Sequence, residues 1–206
     1  DLGVDEATLR NDYILQIALI DPAAEQEVEK YGIAPWMQVE HKTRIKPVAD
    51  HRDVGLEVKP PDIVRYFVRV KDSVLSRFAK EHGLGKSDRR LVEDEFIFRN
   101  SFQINRRFYA SLGDKRAFVL SHARDLVIFK IVGFAEQVVK YYGLNDMRAK
   151  IWIAHQRYPT KGRVWHPAGA HAFIGMNEAL VHNGDFANFF GVTEYDETVI
   201  EMLLES

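Results

Sequence analysis

The run DYILQIALI (residues 12–20) is the part of the sequence that most constrains the fold. It is rich in β-branched and aromatic side chains, which is typical of a strand buried inside a sheet. The segment DIVRYFVRV (62–70) also predicts a strand, in which aromatic and aliphatic residues alternate with Arg65 and Arg69. A third strand is predicted in WMQVEHKTRIKPV (36–48). The chain therefore needs a sheet that contains a buried strand.

Helical segments lie between and after these strands. Residues 21–32 begin with an Asp-Pro pair and predict a helix that stops at Gly32. Residues 72–85 and 134–144 predict two more helices, the first with Gly83 or Gly85 as its C-cap and the second ending at Gly143. The stretch 91–111 fits either a helix or a strand that leads into a helix.

The second half of the chain adds further strand predictions. Two apolar runs on either side of the polar SHARD sequence predict a β-hairpin over 116–133. Residues 149–160 predict a strand that runs into a loop, and 178–186 predict another strand. Strands grouped with helices in this order predict an α+β domain built in layers. With 206 residues, the chain is long enough for one large domain or two small ones.

Composition excludes several classes of function. The net charge is -2 and the sequence pI is about 6.5, so no basic field is available for a nucleic-acid backbone. No apolar run is long enough to span a membrane, and we expect a cytoplasmic protein without membrane or nucleic-acid partners. The absence of cysteine excludes disulfides and thiolate metal sites within these residues.

Polar groups are concentrated between residues 154 and 189. This stretch contains four of the eight histidines, His155, His166, His171 and His182. They do not match the HExxH spacing, and no cysteine or acidic triad completes a ligand set. We therefore expect no metal site there.

The Asn183-Gly184 pair has two interpretations. Such a pair commonly forms a type I′ turn, but an amide NH₂ beside an open backbone N–H can also form an oxyanion hole. Arg157 offers a planar fork suited to a carboxylate, although an arginine is more often a surface residue. Thr160 adds a hydroxyl to the same stretch.

Three motifs in this stretch carry a resemblance to a known family. HQRYPT, AHAF and VHNGD, in that order, resemble the glutamine-site signature of class II glutamine amidotransferase domains, which are N-terminal-nucleophile hydrolases. The amidotransferase domain of archaeal-type glutamate synthase is the more particular match. The resemblance is strong over 116–191 and looser over 11–115. It implies a single domain over 1–206 with a four-layer αββα sandwich.

The resemblance also implies how glutamine is bound. Arg157 would bind the α-carboxylate of glutamine with help from Thr160, and Tyr158 would lie beside the substrate. Asp185 closes the third motif and belongs to the same substrate-binding set. Asp196 would bind the α-ammonium group, unless it is only the N-cap of the following helix.

The catalytic roles implied by the resemblance fall on the third motif. Asn183 and Gly184 would form the oxyanion hole. His171, in the second motif, belongs to the substrate-binding set as a structural histidine near the pocket floor. The nucleophile of the family is an N-terminal cysteine whose α-amine is the base, whereas residue 1 here is Asp1. We expect segments of the polypeptide to be missing before residue 1 and between 195 and 196; the alternative is a domain that has lost its catalytic residue.

The expected activity is a glutaminase reaction that supplies ammonia to a glutamate synthase-type acceptor. No cofactor is expected on this domain, because FMN and an iron–sulfur cluster would belong to a synthase domain or subunit. L-Glutamine, that acceptor and an oligomeric assembly are the expected partners. The alternatives are a phosphoribosylamine- or glucosamine-phosphate-forming amidotransferase, or a non-catalytic module that binds glutamine.

Overall fold

The fold is α+β, with helices packed on an antiparallel sheet. The computed structural model describes residues 2–109, 114–156 and 172–181. The strands are β1 (Tyr13–Leu19), β2 (Met37–Arg44), β3 (Asp62–Val70), β4 (Ala117–Ala123), β5 (Phe173–Gly175) and β6 (Glu178–Leu180). The first four form one sheet in the order β2-β3-β1-β4, and β5 pairs with β6. The strand predictions for 12–20, 36–48 and 62–70 are confirmed.

Five α-helices are found among the described residues. They are α1 (Glu6–Asn11), α2 (Ala24–Val28), α3 (Asp72–Glu81), α4 (Arg89–Phe108) and α5 (Ala135–Tyr142). A π-helical turn (Glu29–Ile33) continues α2, and a 3₁₀ turn (His51–Val54) precedes β3. The helix predictions for 72–85 and 134–144 are confirmed. None of the described helices is long and apolar enough to cross a membrane.

The sheet is buried on both sides, because β1 is buried along its whole length. Tyr13, Leu15 and Ile17 point to the side covered by α2, α3 and α4, which we call the helical face. Ala18 and Ile63 belong to a separate core cluster on the other side, which we call the second face. That cluster includes residues of α5 and of the irregular segment after β4.

The stretch 91–111 belongs to one continuous helix as far as Phe108. Asp88 caps α4, since its carboxylate accepts a hydrogen bond from the backbone N–H of Arg90 at 2.8 Å. The inner side of α4 is apolar and packs on the helical face through Val92, Phe96, Ile97, Ile104 and Phe108. The helix interpretation is thus the correct one.

The predicted hairpin over 116–133 is wrong. Only Ala117–Ala123 forms a strand, and the chain then packs against the second face without joining the sheet. There the buried Ile128 accepts a hydrogen bond at its carbonyl oxygen from Nε2 of Gln16, at 2.8 Å. A short apolar run does not by itself distinguish a buried strand from a buried irregular segment.

Two further predictions need correction at their boundaries. No strand forms over 149–156, the described part of the predicted strand 149–160, and Ile151 is 80% exposed. The predicted strand over 178–186 is confirmed for Glu178–Leu180, and its residues from 182 onward lie outside the described part.

The helix predicted over 21–32 does not stop at Gly32. The chain continues through Gly32 in the π-helical turn, and a Cβ atom at that position would lie 2.6 Å from Cγ1 of Ile104 in α4. Glycine is needed here because the backbone of the turn packs directly on the Ile104 side chain, and not because a helix ends.

Candidate functional site

The sequence-predicted site residues lie outside the described residues. This applies to Arg157, Tyr158, Thr160, His171, Asn183, Gly184, Asp185 and Asp196, and to Asp1. Their roles remain predictions. Within the three motifs, the structure describes residues 155–156 of the first, 172–173 of the second and Val181 of the third.

The β5–β6 hairpin joins the second motif to the third. Phe173 pairs with Leu180, and Gly175 pairs with Glu178 across a tight turn. The two chain ends at the open end of this hairpin, Ala172 and Val181, are therefore neighbours. His171 precedes Ala172 by one position, and Asn183 follows Val181 by two.

The turn of this hairpin has an unusual backbone conformation. Met176 has a φ of +57°, and it is the one described residue other than glycine with a positive φ. Such a conformation is uncommon for a residue with a side chain and costs on the order of 1 kcal/mol. Met176 also packs against the core of the helical face, which provides a compensating contact.

The open end of the hairpin is anchored at the second face. Ala172 packs against the cluster that contains Ala18, Ile63 and Phe118. Because these three occupy paired positions on β1, β3 and β4, they form one row across the sheet. Ala172, in the second motif, thus packs on the face of the sheet that also contains a row of polar residues.

That polar row consists of Arg65, Gln16 and Ser121, at paired positions on β3, β1 and β4. All three are buried, and Arg65 is only 4% exposed. Nε of Arg65 donates to Oε1 of Gln16 at 2.9 Å. Within the described part of the chain, no carboxylate pairs with Arg65, and no group bonds Oγ of Ser121.

Burial lowers the pKa of two cationic side chains, Arg65 and Lys130. It lowers the pKa of Arg65 to about 10 and that of Lys130 to about 8, because a cation loses its hydration when it is buried. Lys130 follows Ile128, the residue bonded to Gln16, by two positions. Arg65, which pairs with Gln16 and with no described carboxylate, favours a nearby negative group, such as a carboxylate.

A different buried network fixes the end of β4. Arg124 donates to the backbone carbonyl of Asn11 at 2.6 Å, to the Tyr13 hydroxyl at 2.7 Å and to Glu93 at 3.1 Å. Burial raises the pKa of Tyr13 above its usual range, and the hydroxyl donates to Asp94. These bonds join β1, β4 and α4, so we assign the network a structural role.

The sequence contained signals for some of these buried polar groups. Gln16 interrupts an otherwise apolar run, which indicates a polar residue in the core. Arg65 and Arg69 occupy equivalent positions in the alternating pattern, but Arg65 is buried while Arg69 is half-exposed and pairs with Asp12. The alternation alone therefore failed to separate a buried cation from a surface one.

Comparison with known proteins gives one distant relative. An uncharacterized protein of Archaeoglobus fulgidus is 30% identical over 103 residues, which are 50% of this chain and 25% of that protein. The matched region thus spans a quarter of the relative's length. No family model matches the chain, and no solved structure matches it.

Proposed function

We propose that this chain is the glutaminase domain of a class II amidotransferase. It would hydrolyse L-glutamine and deliver the ammonia to a glutamate synthase-type acceptor domain or subunit. The proposal rests on the motifs HQRYPT, AHAF and VHNGD in that order. The observation that carries it is the pairing of Phe173 with Leu180. Phe173 is the last residue of the second motif and Leu180 directly precedes the third, so the pairing brings the end of one motif next to the start of the other.

The finer fold proposed is the four-layer αββα sandwich of N-terminal-nucleophile hydrolases. A sheet in such a sandwich is covered by helices on one side and by a second layer on the other. Burial of β1 on both faces is consistent with this arrangement. Only the four-stranded sheet and the short hairpin are observed among the described residues.

The proposed chemistry begins with attack of a thiolate on the amide carbon of the glutamine side chain. Asn183 and Gly184 would donate hydrogen bonds to the oxyanion that forms. The α-amine of the nucleophilic residue would take the thiol proton and pass it to the leaving nitrogen, since such an amine titrates near pH 7.7–8.0. Ammonia leaves, and water then hydrolyses the thioester to give glutamate.

The thiol must come from outside the 206 residues, because they contain no cysteine. The same fact favours a second candidate, a module that binds glutamine without hydrolysing it. Intact mass and N-terminal sequencing of the natural polypeptide distinguish the two. An N-terminal cysteine supports the glutaminase, whereas a chain without any thiol leaves the binding module.

The oxyanion assignment is tested by ammonia release from L-glutamine, measured on the complete polypeptide. We expect Asn183→Ala to lower kcat by about 10²–10³, the usual effect of losing one oxyanion donor. Asn145→Ala is the matched control, because Asn145 is exposed and follows α5 at a distance from the three motifs in sequence. A wild-type kcat for Asn183→Ala would refute the role of Asn183.

A further inference from the structure

A groove of about 470 Å³ opens among the helices that cover the helical face. α4 forms its floor, and the π-helical turn and α3 contribute its walls. Its aromatic lining consists of Tyr31, Trp36, Phe78, Phe96 and Phe108. The groove is separate from the second face, against which Ala172 packs.

The shape of this groove is fixed by close contacts. Because Gly32 has no side chain, the π-helical turn packs directly on Ile104. The buried Asn100 donates from Nδ2 to the Gly32 carbonyl oxygen at 2.8 Å. Nε1 of Trp36 donates to the Tyr31 carbonyl oxygen at 2.9 Å. The aromatic walls are therefore held in place without a ligand.

The charged side chains of the groove are all cationic among the described residues. The guanidinium of Arg107 lies 3.8 Å from the ring centroid of Tyr31 and forms no ion pair with a described carboxylate. Arg99 also lines the groove, and its guanidinium forms an ion pair with Glu95 at 2.6 Å. Glu27, which Arg107 influences electrostatically, is already bonded to Arg116 at 2.7 Å.

We propose that this groove binds a nucleoside monophosphate, with the base against the aromatic walls and the phosphate on Arg107. The volume lies in the range of small-molecule sites. Aromatic side chains favour a flat ring by stacking, and an arginine fork binds phosphate through paired hydrogen bonds. An aromatic carboxylate also combines a flat ring with a negative group, and the experiment below distinguishes it from a nucleoside monophosphate.

Trp36 lines the groove, so its fluorescence can report ligand binding there. Adenosine monophosphate is titrated into the full chain while tryptophan fluorescence and calorimetric heat are followed. We expect a saturable signal with a Kd below about 1 mM. Uncharged adenosine should bind at least about tenfold more weakly, because it lacks the group that Arg107 recognises. In Trp36→Phe the fluorescence change should be lost, while the calorimetric signal remains.

The matched pair of variants is Arg107→Gln and Arg106→Gln. Both remove one exposed cation from the same turn of α4, but only Arg107 lines the groove. Arg107→Gln should weaken binding of adenosine monophosphate by about tenfold and leave adenosine binding unchanged. Arg106→Gln should bind like the wild type.

Three results would overturn the nucleotide site. They are no saturable signal with adenosine monophosphate up to about 5 mM, equal weakening by the two arginine variants, or equal binding of adenosine and its monophosphate. Anthranilate serves as the aromatic carboxylate probe. If it binds through Arg107 and adenosine monophosphate does not, the nucleotide assignment is wrong and the ligand is an aromatic carboxylate.

Discussion

His122 is a residue whose charge state is set by the fold. It lies in β4 and is 8% exposed, and its ring faces Phe98 with the centroids 6.0 Å apart. Neither ring nitrogen has a hydrogen-bond partner among the described residues. Burial therefore lowers the pKa of His122 to about 4, from 6.5 for the free side chain.

This low pKa predicts a loss of stability in acid. Between pH 6.5 and about 4 the unfolded chain binds a proton at His122 and the folded chain does not. The free energy of unfolding should therefore fall by roughly 2–3 kcal/mol between pH 7 and pH 4.5 from this residue alone. His122→Leu should remove that component, as measured by urea unfolding at both pH values.

His82→Leu is the control for His122→Leu, since it removes an exposed imidazole at the end of α3. If His122→Leu and the wild type lose the same free energy between pH 7 and pH 4.5, His122 is not held neutral by burial. If His82→Leu has the same effect as His122→Leu, the acid sensitivity is not specific to the buried residue.

Single residues also show what a sequence pattern can and cannot predict. Burial of Tyr13–Leu19 was predictable, because all of its residues except Gln16 are apolar. Burial of Arg65 was not, because it depends on Gln16 in a neighbouring strand and on the layer over the second face. The pattern within one strand contains no information about its partners.

At the scale of elements, the contact between the π-helical turn and α4 gives a second prediction. Gly32→Ala would place a Cβ 2.6 Å from Cγ1 and 2.8 Å from Cδ1 of Ile104, which is itself buried. We expect this overpacking to lower the free energy of unfolding by about 1–3 kcal/mol. Thermal or urea unfolding of the two proteins measures the difference.

Gly85→Ala is the matched control, because a Cβ there meets no atom within 4 Å. It should change stability by less than about 1 kcal/mol. In the double variant Gly32→Ala/Ile104→Ala, the two changes should compensate in part, since the methyl group added at one residue fills space freed at the other. Strict additivity would show that Ile104 is not the source of the strain.

Elements differ in how far the sequence predicts them. α5 was predictable because an amphipathic stretch ends at Gly143, which has a φ of +63°. The segment 126–131 was assigned wrongly because its apolar residues pack on the second face without strand partners. Long-range pairing decides such cases, and local periodicity does not report it.

At the scale of the whole molecule, the four-stranded sheet divides the chain into two regions with different chemistry. The aromatic groove lies among the helices of one face. Ala172 packs on the other face, which also contains the buried Arg65 and Gln16. The three motifs of the proposed glutamine site are short and contiguous, so the sequence alone was enough to propose them, and their role stays a prediction. The groove was not predictable from the sequence, because its residues come from separate segments that only the fold brings together.

Together, the proposed glutamine site and the proposed groove site predict that Arg157 and Arg107 act on different ligands. L-Glutamine at about 100 times its Kd should raise the free energy of unfolding of the full chain by about 2.7 kcal/mol, because it binds the folded state. Arg157→Ala should abolish this stabilisation without changing unfolding in the absence of ligand. Arg107→Gln should keep the full effect, since Arg107 lies in the groove of the helical face. Thermal unfolding of the wild type, Arg157→Ala and Arg107→Gln, each with and without L-glutamine, measures the stabilisation. If L-glutamine stabilises Arg157→Ala as much as the wild type, Arg157 is excluded from the glutamine site.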